Sequence, residues 1–435
     1  MKEFICDNIS QSDNGRLCFA GRDTTELAEK YGTPLYLFDE DKIREKCRTY
    51  INAVKKAFGD KGIVLYASKA ASFKRIVQIA FEEGLNIDVV SPGEINTALK
   101  AGVPGDKMWF HGNNKTDWDI DYAMSSGVGC FVVDNAEELY VIDEIAPKHK
   151  KTQNVILRIT PGIDPHTFEA VATGKVDSKF GTAIVTGQAL EITKTALSLK
   201  NINLLGFHCH VGSQCFDSQV FFDAVDVMFD FIACVKKETG FEAKIFNIGG
   251  GYGVKYVETD AGIDIASNIQ KVGEHAKKAA EKVGIKMPVV AFEPGRSIAA
   301  DAGMTLYTAG TVKRITGYKN YVSVDGGMTD NIRFALYGSE YTVYNAGRMN
   351  EECDMMCSVV GRCCESGDII QENVKMPSST KRGDIIAVCT TGAYNYSMAS
   401  NYNRIPRPPV VMLSNGQDYI AVKRETIDDI VRLDI

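Results

Sequence analysis

The sequence predicts an α/β protein in which a (β/α)8 TIM barrel is joined to a second, all-β barrel-like domain. Residues 63 to 292 alternate short β-branched runs with longer amphipathic stretches rich in Ala, Lys and Glu, the pattern of repeated βα units with parallel strands. After Arg296 this texture gives way to shorter runs separated by Gly-, Asn-, Asp- and Pro-containing turns, with little helical periodicity. At 435 residues the chain also exceeds one ordinary domain of about 100–200 residues, and barrels are the class that runs larger. Together these observations place the barrel at residues 36–298 and the β-domain at residues 1–35 with 299–435.

The strand-like runs are IVLY (63–66), NIDVV (86–90), KMWF (107–110), GCFVV (129–133), NVILRI (154–159), NLLGFHCH (203–210), AKIFNI (243–248) and PVVAF (288–292). Helical stretches follow the first seven, for example residues 72–83, 92–101, 135–145, 217–237 and 263–283. Eight strands in about 230 residues fit a closed barrel, and an open doubly wound sheet is the competing arrangement, because strand count alone does not prove closure. Beyond the barrel, YVSVD, MMCSVV, DIIAVC and YIAVKR read as strands. RLCFAG and PLYLF near the N-terminus have the same character, so the first segment is expected to pair with the C-terminal strands.

Composition excludes several classes of function. The formal net charge is −7, which gives no global attraction to phosphate backbones or anionic lipid, so no nucleic-acid or membrane partner is expected. Hydrophobic residues are 45% and charged ones 24%, the globular balance, and no apolar run approaches the roughly 18 residues of a membrane span. The polar N-terminal segment lacks the apolar core of a signal peptide, which leads to the expectation of a cytoplasmic protein. Twelve cysteines are then expected as free thiols. The cluster Cys353, Cys357, Cys363 and Cys364 has no CxxC spacing and no nearby His, so no metal is expected there.

Barrel enzymes work at the carboxyl ends of their strands, so reactive residues should collect just after each run. Lys69 follows the first in YASKAAS, Asp88 ends the second, His111 follows the third and Arg158 lies near the end of the fifth. His210 opens HVGSQ after the sixth, with His208 on the same strand face; GGGYG (249–253) follows the seventh and Glu293 opens EPGR after the eighth. Each alone has an ordinary reading: a solvated lysine, a satisfied core histidine, a tight glycine turn, a local Glu293–Arg296 ion pair. The set combines a lysine nucleophile, glycines that let backbone N–H groups approach an anion, an imidazole to stack on a ring and a buried acid to pair with a ring nitrogen. That combination points to pyridoxal 5′-phosphate (PLP), with Glu293 as partner of the pyridinium and His210 against its face.

At YASKA, HVGSQ, GGGYG, EPGR, CESGD and GAY, in that order, the sequence resembles the PLP-dependent decarboxylases of the alanine racemase and ornithine decarboxylase fold, over residues 34 to 422. The resemblance implies a PLP barrel joined to a β-domain built from both chain ends, in a homodimer whose active sites are each completed by the partner's β-domain. It implies that Lys69 carries PLP and that Asp88, His210, Ser213, Gly249, Gly250, Gly251, Glu293, Gly295, Arg296 and Tyr394 bind the cofactor. Arg296, Arg333 and Tyr337 would receive the substrate carboxylates, Tyr394 would also touch the substrate, Cys364 would be the general acid, and Glu365 would hold a distal ammonium. The reaction implied is decarboxylation of meso-2,6-diaminopimelate to L-lysine and CO2, the last step of lysine biosynthesis. The family usually has Asn soon after the lysine and Pro before CESGD; here the segments are KAAS and GRCCESGD.

Two other readings share many of these residues. A decarboxylase of a plain diamino acid such as D-lysine or D-ornithine would keep the motifs, and a non-catalytic PLP-binding protein would have no need of Cys364 and Arg333. A metal-dependent hydrolase would need a cluster of His and carboxylate ligands, which the strand ends do not suggest. Residues 164–181, glycine-flanked and polar, read as a long loop.

Overall fold

The computed structural model describes residues 4–163 and 178–435, so most of the long loop expected at 164–181 lies outside the described residues. The chain divides into two compact units: Glu45–Gly253 with Gly262–Gly295, and Met1–Arg44 with Val254–Ala261 and Arg296–Ile435.

In the first unit eight parallel strands close into a ring: β1 (Gly62–Ala67), β2 (Asn86–Val89), β3 (Met108–Phe110), β4 (Cys130–Val133), β5 (Gln153–Thr160), β6 (Ile202–His208), β7 (Ile245–Asn247) and β8 (Val289–Phe292). Each pairs with its sequence neighbours, and β8 closes on β1 through Val290↔Gly62, Ala291↔Ile63 and Phe292↔Val64. Closure makes this the TIM barrel that the alternation predicts and excludes the open sheet. The sixth strand stops at His208, two residues short of the predicted end, so His210 lies in the loop beyond it.

Strand periodicity explains how the barrel builds a polar mouth. Leu65, Trp109, Cys130, Val132, Ile156 and Ala291 form one buried cluster, with Ile63, Leu205 and Ile245 packed against it. Side chains alternate faces along a strand, so two residues further on the same face comes Ala67, His111, Asp134, Arg158, Asn247 and Glu293. An apolar plug thus floors a layer of polar groups. Helices follow the strands and start at local caps: Ser91 Oγ accepts from Glu94 N ahead of Pro92–Lys100, and Thr116 with Asp119 forms a capping box for Asp117–Ser125. Gly206 lets β6 approach β7, because a Cβ there would stand 1.9 Å from the Ile245 carbonyl oxygen.

The second unit is built on Gly303–Arg314, which pairs antiparallel with Leu35–Asp39, Ile385–Cys389 and Asn320–Val324. The register shift between Ala309 and Val312 lets this long strand pass from one group of partners to the next. Leu35–Asp39 also lies parallel to Val410–Ser414, so the N-terminal segment is threaded between C-terminal strands as expected from PLYLF. RLCFAG departs from that expectation. Leu17–Phe19 forms its own small sheet with Ile9–Gln11 and Arg22–Asp23, and joins the C-terminal part by packing Leu17 and Phe19 against Leu37, Met304, Leu306 and Val411. Among the described residues no helix is long and apolar enough to cross a membrane.

Candidate active site

Four loops at the carboxyl ends of the strands assemble the mouth of the barrel. Lys69 sits in the Ser68–Ala70 turn directly after β1; its neighbours are buried, its own side chain is exposed, and its amine has no hydrogen-bond or ion-pair partner among the described residues. Gly295 lets the loop after β8 lie against this turn: a Cβ there would meet Ala67 at 3.0 Å, and Ala67 N donates to the Pro294 carbonyl. Beside Lys69, Ser68 Oγ lies 2.8 Å from the Asp88 carbonyl and 2.9 Å from Glu94 Oε2, which also accepts from Val90 N. Burial, joined by the like charge of Asp88, pushes the Glu94 carboxyl up to about 7.

Glu293 is the centre of the polar layer. Its Oε1 accepts from Asn247 Nδ2 at 2.6 Å and lies 2.7 Å from His111 Nε2, while its Oε2 is 3.2 Å from His208 Nε2. Burial opposes its ionisation, but His111 and His208 hold the carboxyl well below the usual range, so it is an anion. Burial pushes His208 down to about 4 and His210 well below its ordinary value, the latter aided by Lys69 and Arg158, so both imidazoles are neutral at pH 7. Asp88 is buried 3.8 Å from His111, and burial raises its carboxyl.

The glycine loop after β7 is shaped by close backbone approach. A Cβ on Gly249 would meet the Cys209 carbonyl at 2.7 Å, on Gly250 the Glu293 carbonyl at 2.2 Å, and on Gly251 the Gly212 carbonyl at 2.5 Å; Gly249 and Gly251 also have φ of +77° and +123°. Gly250 N donates to His210 Nδ1 at 3.3 Å, which ties this loop to the one carrying His210 and the half-buried Ser213. The mouth has polar capacity left over: Asp88 Oδ1 and His208 Nδ1 are buried without hydrogen-bond partners among the described residues. An unpartnered amine, an anionic carboxylate and a glycine loop fit a phosphate-bearing pyridine aldehyde.

One expectation is corrected here. The strand ends do bring together a His and carboxylate cluster, His111, His208 and Glu293, whose ligand atoms lie within 4.8 Å of one another. Strands β3, β6 and β8 are far apart in sequence, which is why spacing did not reveal it. The three groups are joined among themselves by the contacts above, and a metal would have to break these to bind. Asp134 and Asn247 were also missed, although counting two residues on from Val132 and Ile245 would have found them. Asp134 Oδ1 accepts from Gly181 N at 2.9 Å, and Arg158 lies 4.4 Å from the Phe180 ring.

In the second unit four of the predicted residues converge. Arg296 Nη1 donates to Tyr256 Oη at 2.8 Å and its guanidinium carbon lies 4.8 Å from the Tyr394 ring; that of Arg333 lies 5.2 Å from the same ring and 5.1 Å from Tyr337. Both arginines are 6% exposed. Arg333 has no carboxylate partner among the described residues, and its Nε is buried without an acceptor. A buried cation in an aromatic cage without a counter-ion is a place for an anion. Tyr394 is held at φ 68°, costly for an aromatic residue, immediately after Gly392 and Ala393, where a Cβ on Gly392 would stand 1.8 Å from the Ala299 carbonyl. Tyr256 was not found from sequence, because the segment Val254–Ala261 joins this unit only by long-range contact.

Cys364 and Glu365 lie apart from that cage, on an exposed loop, and no hydrogen bond or ring contact joins them to it among the described residues. All twelve cysteines are free thiols.

Known proteins with this sequence pattern and fold are consistent. The family model for the pyridoxal-dependent decarboxylase, pyridoxal binding domain, matches residues 40–300. The chain is 44% identical to the diaminopimelate decarboxylase of Bacillus subtilis (strain 168), covering 99% of this chain and 98% of that one. The solved structure of diaminopimelate decarboxylase from M. jannaschii in co-complex with L-lysine aligns with a TM-score of 0.91 at 34% identity, over 100% of this chain and 99% of that one. The lysine/ornithine decarboxylase of Vibrio vulnificus complexed with putrescine aligns with a TM-score of 0.74 at 25% identity, over 91% and 98% of the two chains.

Proposed function

The chain belongs to the diaminopimelate decarboxylase family of pyridoxal-dependent enzymes, and on that premise we propose that it converts meso-2,6-diaminopimelate to L-lysine and CO2, the last step of lysine biosynthesis. The observation that carries the reading is Lys69: an exposed amine, without a partner among the described residues, at the mouth of a barrel whose centre holds the ionised Glu293.

PLP, when bound, supplies an electron sink for the pair left at Cα as CO2 departs. Lys69 would be the amine that anchors the cofactor through its aldehyde. The Glu293 carboxylate would hold a proton at the ring nitrogen, because it is kept ionised where it is buried. His210, Ser213, Gly249, Gly250, Gly251, Gly295 and Asp88 shape the seat around the ring and its phosphate. Arg296 and Arg333, with Tyr337 and Tyr394, bind substrate carboxylates and orient the bond that breaks, because a guanidinium offers paired donors to a carboxylate. Cys364 gives its proton to Cα after CO2 has left, and Glu365 accepts from the distal ammonium. The exposure of the Cys364 loop supports a homodimer in which that loop serves the partner's site. The absence of a spanning helix among the described residues is compatible with a cytoplasmic setting.

The test is CO2 release by the PLP-loaded protein with meso-, LL- and DD-diaminopimelate, D-lysine, D-ornithine, L-lysine, L-ornithine and L-arginine side by side. Turnover confined to the meso isomer, with L-lysine as product, is expected. Preference for D-lysine or D-ornithine would overturn the substrate and keep the chemistry.

A further inference from the structure

The loop carrying Cys364 is exposed, yet it is tied down at both of its cysteines. Asp368 is a buried carboxylate whose Oδ1 accepts from Met328 N at 2.6 Å and whose Oδ2 accepts from Cys363 N at 2.7 Å. Those short, charge-assisted bonds bridge the loop at residues 361–368 to the turn at residues 326–331. The bridge is reinforced by backbone bonds, from Arg362 N to the Gly326 carbonyl at 2.9 Å and from Gly361 N to the Asp368 carbonyl at 2.9 Å. Two glycines make the slot in which the carboxylate sits: a Cβ on Gly327 would lie 2.5 Å from Asp368 Oδ1, and one on Gly361 would lie 2.2 Å from Oδ2. On the other side, Cys364 N donates to Asn403 Oδ1 at 2.8 Å, and Asn403 presents that oxygen from a left-handed backbone with φ 50°.

The two adjacent thiols are sorted by this arrangement. Burial, with the Asp368 carboxylate next to it, pushes the Cys363 thiol up to about 12, so it stays protonated against Asp368, while Cys364 is the exposed member of the pair. Among the described residues no Lys, Arg or His pairs with the Asp368 carboxyl, and its two oxygens accept from one turn and from the residue before the thiol.

We propose that Asp368 and Asn403 are positioning residues for the decarboxylation, which aim the Cys364 thiol by holding the backbone N–H groups of Cys363 and Cys364. The inference rests on Cys364 being the proton donor. Without either anchor the thiol keeps its chemistry but loses its place, and a reacting group misplaced by about an ångström costs on the order of 100-fold in rate.

The experiment is a double-mutant cycle on the holoenzyme. Asp368→Asn keeps the shape but turns one acceptor into a donor facing an N–H group, and Asn403→Gly keeps the left-handed backbone while removing the acceptor. Each is measured alone and with Cys364→Ala. The expected result is a fall in kcat of about tenfold or more for each single variant, with cofactor absorbance unchanged, and no further fall in kcat when either is added to Cys364→Ala. A merely structural role would instead lower activity further in the Cys364→Ala background, and that outcome overturns the proposal. So does a kcat within about twofold of the unaltered enzyme for both anchors while Cys364→Ala is slow, which leaves the assignment of Cys364 standing. Near-normal turnover of Cys364→Ala removes the thiol from the reaction and the anchoring role with it. Should Asp368→Asn not fold, the exposed Asn403→Gly carries the cycle alone.

Discussion

Replacing Lys115 by Met should cost the barrel unit several kcal/mol, although Lys115 touches no proposed ligand. Its side chain is 1% exposed, and its ammonium donates to Glu138 Oε1 at 2.7 Å, the Val132 carbonyl at 2.8 Å and the Gly112 carbonyl at 2.9 Å. Glu138, 3% exposed, has its other oxygen on Asp134 N at 3.0 Å, at the start of the loop that follows β4. Lys115→Met preserves the aliphatic stem but leaves a buried carboxylate and two carbonyls without their donor. Breaking a buried pair in this way costs about 3–5 kcal/mol. For a unit of this size each kcal/mol moves Tm by about 2–4 °C, so the fall should be on the order of 10 °C. Pairing it with Glu138→Leu removes the stranded charge and should recover roughly half of the loss or more. Thermal and urea unfolding of the three variants, followed by circular dichroism, measures this. A single-mutant shift below about 3 °C with no rescue by the second change would mean that the pair is not desolvated as the geometry requires.

Other consequences are equally direct. Lys69→Ala should lose the visible absorbance of the lysine-bound cofactor; cofactor still covalently attached after borohydride reduction and dialysis would move the anchor elsewhere. Mixing Lys69→Ala with Cys364→Ala chains should restore up to about a quarter of normal activity if sites are shared across a two-fold dimer, and no gain would show that they are not. Arg333→Met, which removes charged hydrogen bonds worth about 2–3 kcal/mol, should lower kcat/KM by about 30- to 150-fold without loosening PLP; a change of less than threefold would remove Arg333 from carboxylate binding. Glu94 gives a pH signature. Its folded carboxyl keeps its proton up to about 7 whereas the unfolded one releases it near 4.5, so between these values the unfolded state binds fewer protons and stability falls as pH rises. Glu94→Gln abolishes that slope, and its stability relative to the unaltered protein should rise by about 3 kcal/mol from pH 4 to 7.5; parallel urea-derived profiles would refute it.

The strand runs were legible because a buried parallel strand needs short β-branched segments at a repeat that helices interrupt, and those needs are local. Lys69, Glu293 and the three glycines were legible for the same reason, since each stands at a fixed offset from the end of a run. Asp134 was legible in principle, two residues past Val132, but the run GCFVV carried no motif that drew the count forward. RLCFAG looked like a strand and is one, yet its partner depended on which edges the rest of the chain left open, and it paired with its own neighbours.

What the sequence determined by itself is therefore the barrel, the additional β unit and the chemical identity of the groups offered for reaction, because periodicity, turn residues and side-chain type act over a few residues. Only the tertiary structure decided which groups meet. His111, His208, Asn247 and Glu293 stand at the ends of four strands far apart in the sequence, and become one network when β8 closes on β1. The ionisation of Glu293, the neutrality of His208 and the stranded charge of Arg333 follow from that meeting, since burial and neighbouring charge are properties of a place in the fold and not of a residue in a chain.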